Sequence, residues 1–215
     1  MKHTLLILAA FAIGFTGVAA YGFFRTQTAQ PPTVVTGTIP TLQPTFALTP
    51  PSEAVSGMLT QTTGHVLKLS RTDSDFKEAS AGAVILTGES LATKDQSAAT
   101  ATVSGILTVS LGQNAEVAFA NMYPSNFVLL QKSGQAEYRI FSPISVRALH
   151  TLIGLEPGNF TITIINTDLS VTVTSGSATI ALVDTDNNTH IWNLSQGERA
   201  NIDDATRQVY LIKAR

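Results

Sequence analysis

Residues 57–215 are predicted to fold as an all-β domain: an antiparallel sandwich or roll, or a short β-solenoid-like body. Apolar and polar residues alternate with a period of two, turn chemistry recurs every 8 to 20 residues, and no window of twelve carries a clean helical stripe. Such a pattern describes half-buried strands joined by short turns.

In chain order, the first element is an unbroken apolar run from Leu5 to Phe24, preceded by Lys2 and His3 and closed by Arg25. Twenty helical residues rise about 30 Å, the hydrocarbon thickness of a bilayer. Residues 1–25 are therefore expected to be a transmembrane signal-anchor, meeting the membrane through residues 5–24. The alternative is a signal peptide cleaved after Ala20, since Val18, Ala19 and Ala20 supply the small residues such a site needs. Either reading places the remainder outside the cytoplasm: single-pass and membrane-tethered in the first case, secreted in the second.

Residues 26–56 are rich in Thr, Gln and Pro, with Pro31, Pro32, Pro40, Pro44, Pro50 and Pro51 spread through them. Proline fixes φ, lacks a donor and biases its predecessor to extended geometry. The segment is expected to be a disordered stalk, or a disordered tail if the leader is removed.

Beyond Gly57 the strand-like runs follow one another. Ala136, Tyr138 and Ile140 alternate with Gln135, Glu137 and Arg139. Phe160, Ile162 and Ile164 alternate with threonines, and Leu169, Val171 and Val173 alternate with Ser170, Thr172 and Thr174. β-Branched Val and Thr suit a pleated, half-buried surface. The breaks are read at Ser104-Gly105, Gly112-Gln113-Asn114, Ser133-Gly134, Pro157-Gly158-Asn159, Ser175-Gly176 and Asp184 to Asn188. Ser74 to Ser80 and Val146 to Leu152 are the two stretches that admit a short helix. The final run, Arg207 to Lys213, suits a closing strand or an edge offered to a partner.

Composition narrows the function classes. There is no cysteine, which removes disulfides, thiolate zinc sites and cysteine nucleophiles together. Net charge is -2, charged residues make up 13% of the chain, and no basic cluster occurs. Nucleic acid is excluded as an expected partner, because its binding rests on phosphate neutralisation by Lys and Arg. A chain of this size buries roughly 70% of its unfolded surface and needs no staple.

The order of turn-and-strand units resembles the FecR-type domain, the periplasmic sensing module of membrane-anchored regulators. Gly64-His65-Val66 is similar to its opening strand, and Leu86 to Thr93, with Gly88-Glu89 at its centre, resembles the Leu-x-x-Gly-Asp-x-Ile-x-Thr unit. Leu111 to Val117, Leu130 to Ala136, Val171 to Gly176 and Leu194 to Ala200 resemble the units that follow, so the likeness covers about Thr63 to Asp203. Gly158-Asn159-Phe160-Thr161-Ile162 is a compressed substitute for the family's Gly-Thr-x-Phe-x-Val strand. Four residues precede the apolar run here, so the resemblance implies the sensing module without the usual cytoplasmic segment. Any cytoplasmic output would then come from a partner chain.

Candidate chemistry is sparse. His3, His65, His150 and His190 show no local metal spacing, and no metal or cofactor is expected. Asp184-Thr185-Asp186-Asn187-Asn188 resembles the start of a calcium loop, but Ser195 stands where the bidentate glutamate would be, which favours a hairpin turn. Glu89 and Glu198 occupy matching Gly-Glu turns and could pair for glycoside hydrolysis, or each could cap its own turn. Phosphate-loop, dinucleotide and nucleophile-elbow motifs are lacking, and the chain is expected to be non-enzymatic.

Trp192 is the sole tryptophan. Alternation places His190, Trp192 and Leu194 on one face. If that face is core, Trp192 is packing; if it is exposed, His190 and Trp192 form a stacking platform for a ligand. Asn159, Asn187 and Asn193 open glycosylation triplets, which matter only in a host that glycosylates. The expectation is a membrane-anchored extracytoplasmic module for sensing, regulation or scaffolding that binds a protein or cell-envelope polymer. A secreted carbohydrate-binding or adhesion module is the alternative.

Overall fold

The computed structural model describes residues 53–213, and all its regular structure is strand. The expected signal-anchor at residues 1–25 and stalk residues 26–52 lie outside the described residues. Among the described residues no helix is long and apolar enough to cross a membrane. The domain makes its first backbone contact slightly ahead of the expected boundary, where the Val55 N–H donates to the Met122 carbonyl at 2.9 Å.

Among the described residues, seventeen strands form two facing sheets. The first half of the chain supplies β1 (Gly57–Thr63), β2 (Val66–Leu69), β3 (Lys77–Glu78), β4 (Val84–Ile85), β5 (Ser90–Thr93), β6 (Ala98–Val103), β7 (Leu107–Leu111) and β8 (Glu116–Tyr123). The 15-residue β9 (Asn126–Ile140) follows. The second half supplies β10 (Ile144–Ala148), β11 (Thr151–Leu155), β12 (Gly158–Ile165), β13 (Asp168–Ser175), β14 (Ser177–Val183), β15 (Thr189–Ser195), β16 (Arg199–Asp203) and β17 (Gln208–Ile212).

Sheet I runs in the order β4-β1-β6-β7-β9-β12-β13-β16-β17. Sheet II runs β3-β2-β5-β8-β9-β10-β11-β14-β15. Their inner faces share one core, from Leu59 and Val66 through Phe119, Leu129 and Tyr138 to Ile180, Leu194 and Ile202. The predicted alternations are all present: Ala136, Tyr138, Ile140, Phe160, Ile162, Ile164, Leu169, Val171 and Val173 are buried.

β9 belongs to both sheets. Val128 to Gln131 pair with β10 in sheet II, and Gly134 to Ile140 pair with β12 in sheet I. Ser133-Gly134, read from sequence as a turn between two strands, is instead a fold-over inside one continuous strand. Gly134 has φ +74, and a Cβ there would collide with Ala115 and the Asn114 carbonyl, so glycine alone fits both the conformation and the approach. Folding β9 over brings its end back above its start. The chain then re-enters sheet II beside the first half of β9 running the same way, which explains the parallel pair β9 with β10, the only one among the described residues.

The fold-over leaves backbone groups to satisfy, and a buried side chain does so. Gln131 is fully buried; its Nε2 donates to the carbonyls of Gly134 (2.9 Å) and Ile162 (3.1 Å), and its Oε1 accepts from the Tyr138 hydroxyl at 2.9 Å. Burial pushes the Tyr138 phenol far above its ordinary range, so it stays a neutral donor.

Both short-helix expectations are corrected. Ser74 to Ser80 contains the two-residue β3, and Val146 to Leu152 spans the β10/β11 hairpin, whose turn is Leu149-His150. Pairing with neighbouring strands satisfies more backbone than an isolated turn of helix would, and overrides a weak local preference.

Candidate functional site

The candidate residues His190 and Trp192 lie on β15, the last strand of sheet II. Register places His190 opposite Leu182, Trp192 opposite Ile180 and Leu194 opposite Ala178, so all three belong to the inner face. Burial falls steeply along that stripe: Leu194 is buried, Trp192 is half-buried against the core, and His190 is exposed. The packing alternative therefore describes Trp192, which is packed against the core, while His190 stands outside it. Trp192 packs with one side, and its ring stacks on the His190 imidazole with centroids 5.7 Å apart and planes 25° from parallel.

The β14/β15 loop holds that imidazole. The His190 Nε2 lies 2.7 Å from the Asp184 carboxylate, whose other oxygen accepts the N–H groups of Asp186 (2.9 Å) and Asn188 (2.8 Å). His190 first, then the Asn188 N–H, hold the Asp184 pKa down at about 2. Both carboxylate oxygens are thus spent inside the loop, which makes Asp184 to Asn188 the hairpin turn favoured over a calcium loop.

β15 faces β17, the last strand of sheet I, across a cavity of about 280 Å³ lined by Trp192, Leu194, Leu211, Ile212, Glu198 and Lys213. The sandwich is open on this side. β17 pairs with β16 over five residues, as a closing strand should. It also leaves Tyr210, Leu211 and Ile212 exposed and its outer backbone edge unpaired among the described residues, as a docking edge should.

The matching Gly-Glu turns have one geometry. Glu89 N–H donates to Leu86 O (3.1 Å) and Leu86 N–H to the Glu89 carboxylate (2.8 Å); Glu198 N–H donates to Ser195 O (3.0 Å) and Ser195 N–H to the Glu198 carboxylate (2.7 Å). Each glutamate caps its own turn, and they lead into different sheets, before β5 and before β16. Their surroundings differ: Glu89 is buried and paired with Lys68 Nζ at 3.0 Å, whereas Glu198 is half-buried.

Each described histidine has a carboxylate of its own: His65 with Glu78, His150 with Asp204, His190 with Asp184, at 2.7 to 2.9 Å. Sequence reading missed the second site, a cavity of about 750 Å³ among the hairpin tips Leu149-His150, Thr185 to Thr189 and Arg207, with Arg147 on its wall. Nothing local announces it, because the tips lie tens of residues apart and meet only through the register of the sheets.

No protein-family model and no curated protein matches the chain. Among solved structures it is similar to a candidate anti-sigma factor from Parabacteroides distasonis ATCC 8503, seen in two crystal structures. Each aligns with a TM-score of 0.51 at 11% identity, over 58% of this chain and 59% of that one. The chain thus spans under two thirds of that protein's length. The likeness concerns the fold: the all-β architecture is shared.

Proposed function

We propose that this protein is a membrane-tethered, extracytoplasmic module of FecR-like type, non-enzymatic, that serves sensing, regulation or scaffolding by capturing a protein or envelope ligand at its open end. The observation that carries the proposal is the mouth between β15 and β17, where two strand edges are unpaired among the described residues and Trp192, stacked on His190, lines the cavity between them. An unpaired edge adds a partner's strand through main-chain hydrogen bonds, and apolar side chains beside it give the pairing its register. The apolar run at Leu5 to Phe24 supplies the tether. The resemblance of the turn units to FecR-type domains and the fold shared with a candidate anti-sigma factor support a regulatory role.

The test uses the full chain in its own host. It should sediment with membranes, with its C-terminal domain digested by protease only after the envelope is opened. A chain carrying Ile191→Lys and Ile212→Lys should keep that location and lose the partner that co-purifies with the parent chain. Recovery of a soluble protein beginning at Tyr21 would refute the tether, and unchanged co-purification would refute the edge.

A further inference from the structure

The geometry points to a second ligand surface: the outer face of sheet I binds an uncharged glycan, whose sugar ring seats in a trough beside Tyr210. This goes beyond the capture proposed at the β15/β17 mouth: that reading uses the backbone edge of β17, whereas this one uses the outer face of the strand, where Tyr210 and Ile212 both stand.

Strand register builds the face. Thr163, Ser170, Asn201 and Tyr210 stand side by side across β12, β13, β16 and β17. The next row runs from Thr100 through Ser110, Glu137, Thr161 and Thr172 to Arg199. The row ends at Ile212, beside Arg199. The middle of this outer surface is thus rich in short hydroxyl side chains, with charges of both signs (Glu137, Arg139, Arg199) among them and exposed apolar groups towards the edges. A protein-docking core wants the opposite composition.

At the β17 end the face is concave. Tyr210, 59% exposed, and Ile165, 62% exposed, stand on either side of the short residues Ser170 and Asn201, and the space between holds about 390 Å³. That volume is within the usual range of small-ligand sites. Arg199 is laid along the floor, its Nε donating to Ser170 Oγ and Asn201 Oδ1 at 2.8 Å each. The guanidinium is thereby held flat, and the Asn201 amide group turned so that its oxygen is occupied and its nitrogen is available. Asp168 and Asp203 line the same trough; the Asp203 carboxylate already accepts from Ala205 and Thr206, which leaves Asp168 as the acceptor.

A pyranose ring has an apolar C–H face and a rim of vicinal hydroxyls. Tyr210 can take the first by stacking, while Arg199, Asn201 and Asp168 match the second with planar donors and an acceptor. The hydroxyl row running on from Arg199 towards β6 gives further sugars of one chain somewhere to lie. Charges of both signs balance along the row, Glu137 against Arg199, and in the trough two carboxylates stand beside one guanidinium, so no basic patch favours an acidic polymer and the ligand is an uncharged one.

The test is native affinity electrophoresis of the full-length protein, in detergent where required, through gels containing barley β-glucan, xylan, galactomannan or pullulan. At least one should retard the parent protein. Tyr210→Ala and Asn201→Ala should each reduce that retardation at least tenfold, Tyr210→Phe should retain it, and Trp192→Ala should leave it unchanged. Melting temperature, read on each variant, separates lost binding from lost folding, and Asn201→Ala preserves the test if Tyr210→Ala unfolds: unchanged retardation in a folded Asn201→Ala then overturns the assignment. No retardation by any of the four, or retardation unchanged in Tyr210→Ala, overturns the assignment. Retardation lost in Trp192→Ala but kept in Tyr210→Ala also overturns it, and places the glycan at the β15/β17 mouth.

Discussion

The two ends of the sandwich solve the edge problem differently. At the end built by the first half of the chain, the last strands are β3 and β4, two residues each. β3 is Lys77-Glu78, both charged and exposed, and the Lys68 ammonium donates to the Val84 carbonyl of β4 at 2.8 Å. Short edges, charge on the edge and a side chain over the edge are all barriers to strand addition. Met58, Val84 and Leu86 are exposed here too, but they have no long backbone edge beside them.

The other end has none of these barriers. β15 runs seven residues and β17 five, with Ile191 at 64% exposure and Ile212 at 51%. The same split appears in the matching turns, where Glu89 is buried with Lys68 and Glu198 is half-buried, capping its turn alone. One end is closed for stability and the other left available.

The largest expected effect comes from the strand that joins the two ends. Gly134→Val forces a β-branched residue into φ +74 and into the Ala115 backbone, and should cost about 4 kcal/mol or prevent folding. Both ends should melt together in urea; separate transitions would show that they are independent bodies.

Next come the matching turns. Lys68→Met leaves the buried Glu89 carboxylate without its cation and should destabilise by about 3 kcal/mol. Glu198→Gln removes only the charge from a capping hydrogen bond and should cost about 1 kcal/mol. Equal losses in urea denaturation would erase the distinction between the ends.

A smaller effect is expected from Ile191→Lys with Ile212→Lys: about 0.5 kcal/mol or less in stability, since both side chains are mostly in water. A drop of several degrees in melting temperature would instead make the open end part of the structural core.

The smallest effect is a pH dependence confined to the open end. Asp184 is held at about 2, below its ordinary value, so its contribution is present above pH about 4 and is lost as pH falls towards 2. Amide exchange at Asn187 to His190 should quicken across that window, and Asp184→Asn should abolish the dependence. The amides of β3 and β4 serve as the unaffected reference.

Much of this was legible in the chain. Alternation in Phe160 to Ile165 and Leu169 to Val173 placed the buried faces correctly, because side-chain period in a strand is a property of the backbone. The Gly-Glu turns were legible for the same reason: their caps lie within four residues. Ser133-Gly134 misled, since a glycine at positive φ serves a turn and a fold-over equally well. His190 and Trp192 were placed on one face, but not where that face stops being core. That depends on how far sheet I reaches over β15.

The sequence by itself determined the all-β class, the inward faces of the alternating strands and the Gly-Glu turns, which follow from interactions within a few residues, and, by composition, the lack of thiol chemistry. Tertiary structure alone decided that β9 serves both sheets, that Gln131 satisfies the fold-over, and that Tyr210, Asn201, Ser170 and Thr163 stand in one row. It also decided which edges are short and which are open. Those are matters of pairing and register between segments up to tens of residues apart, and local chemistry carries no record of which segment will lie alongside which.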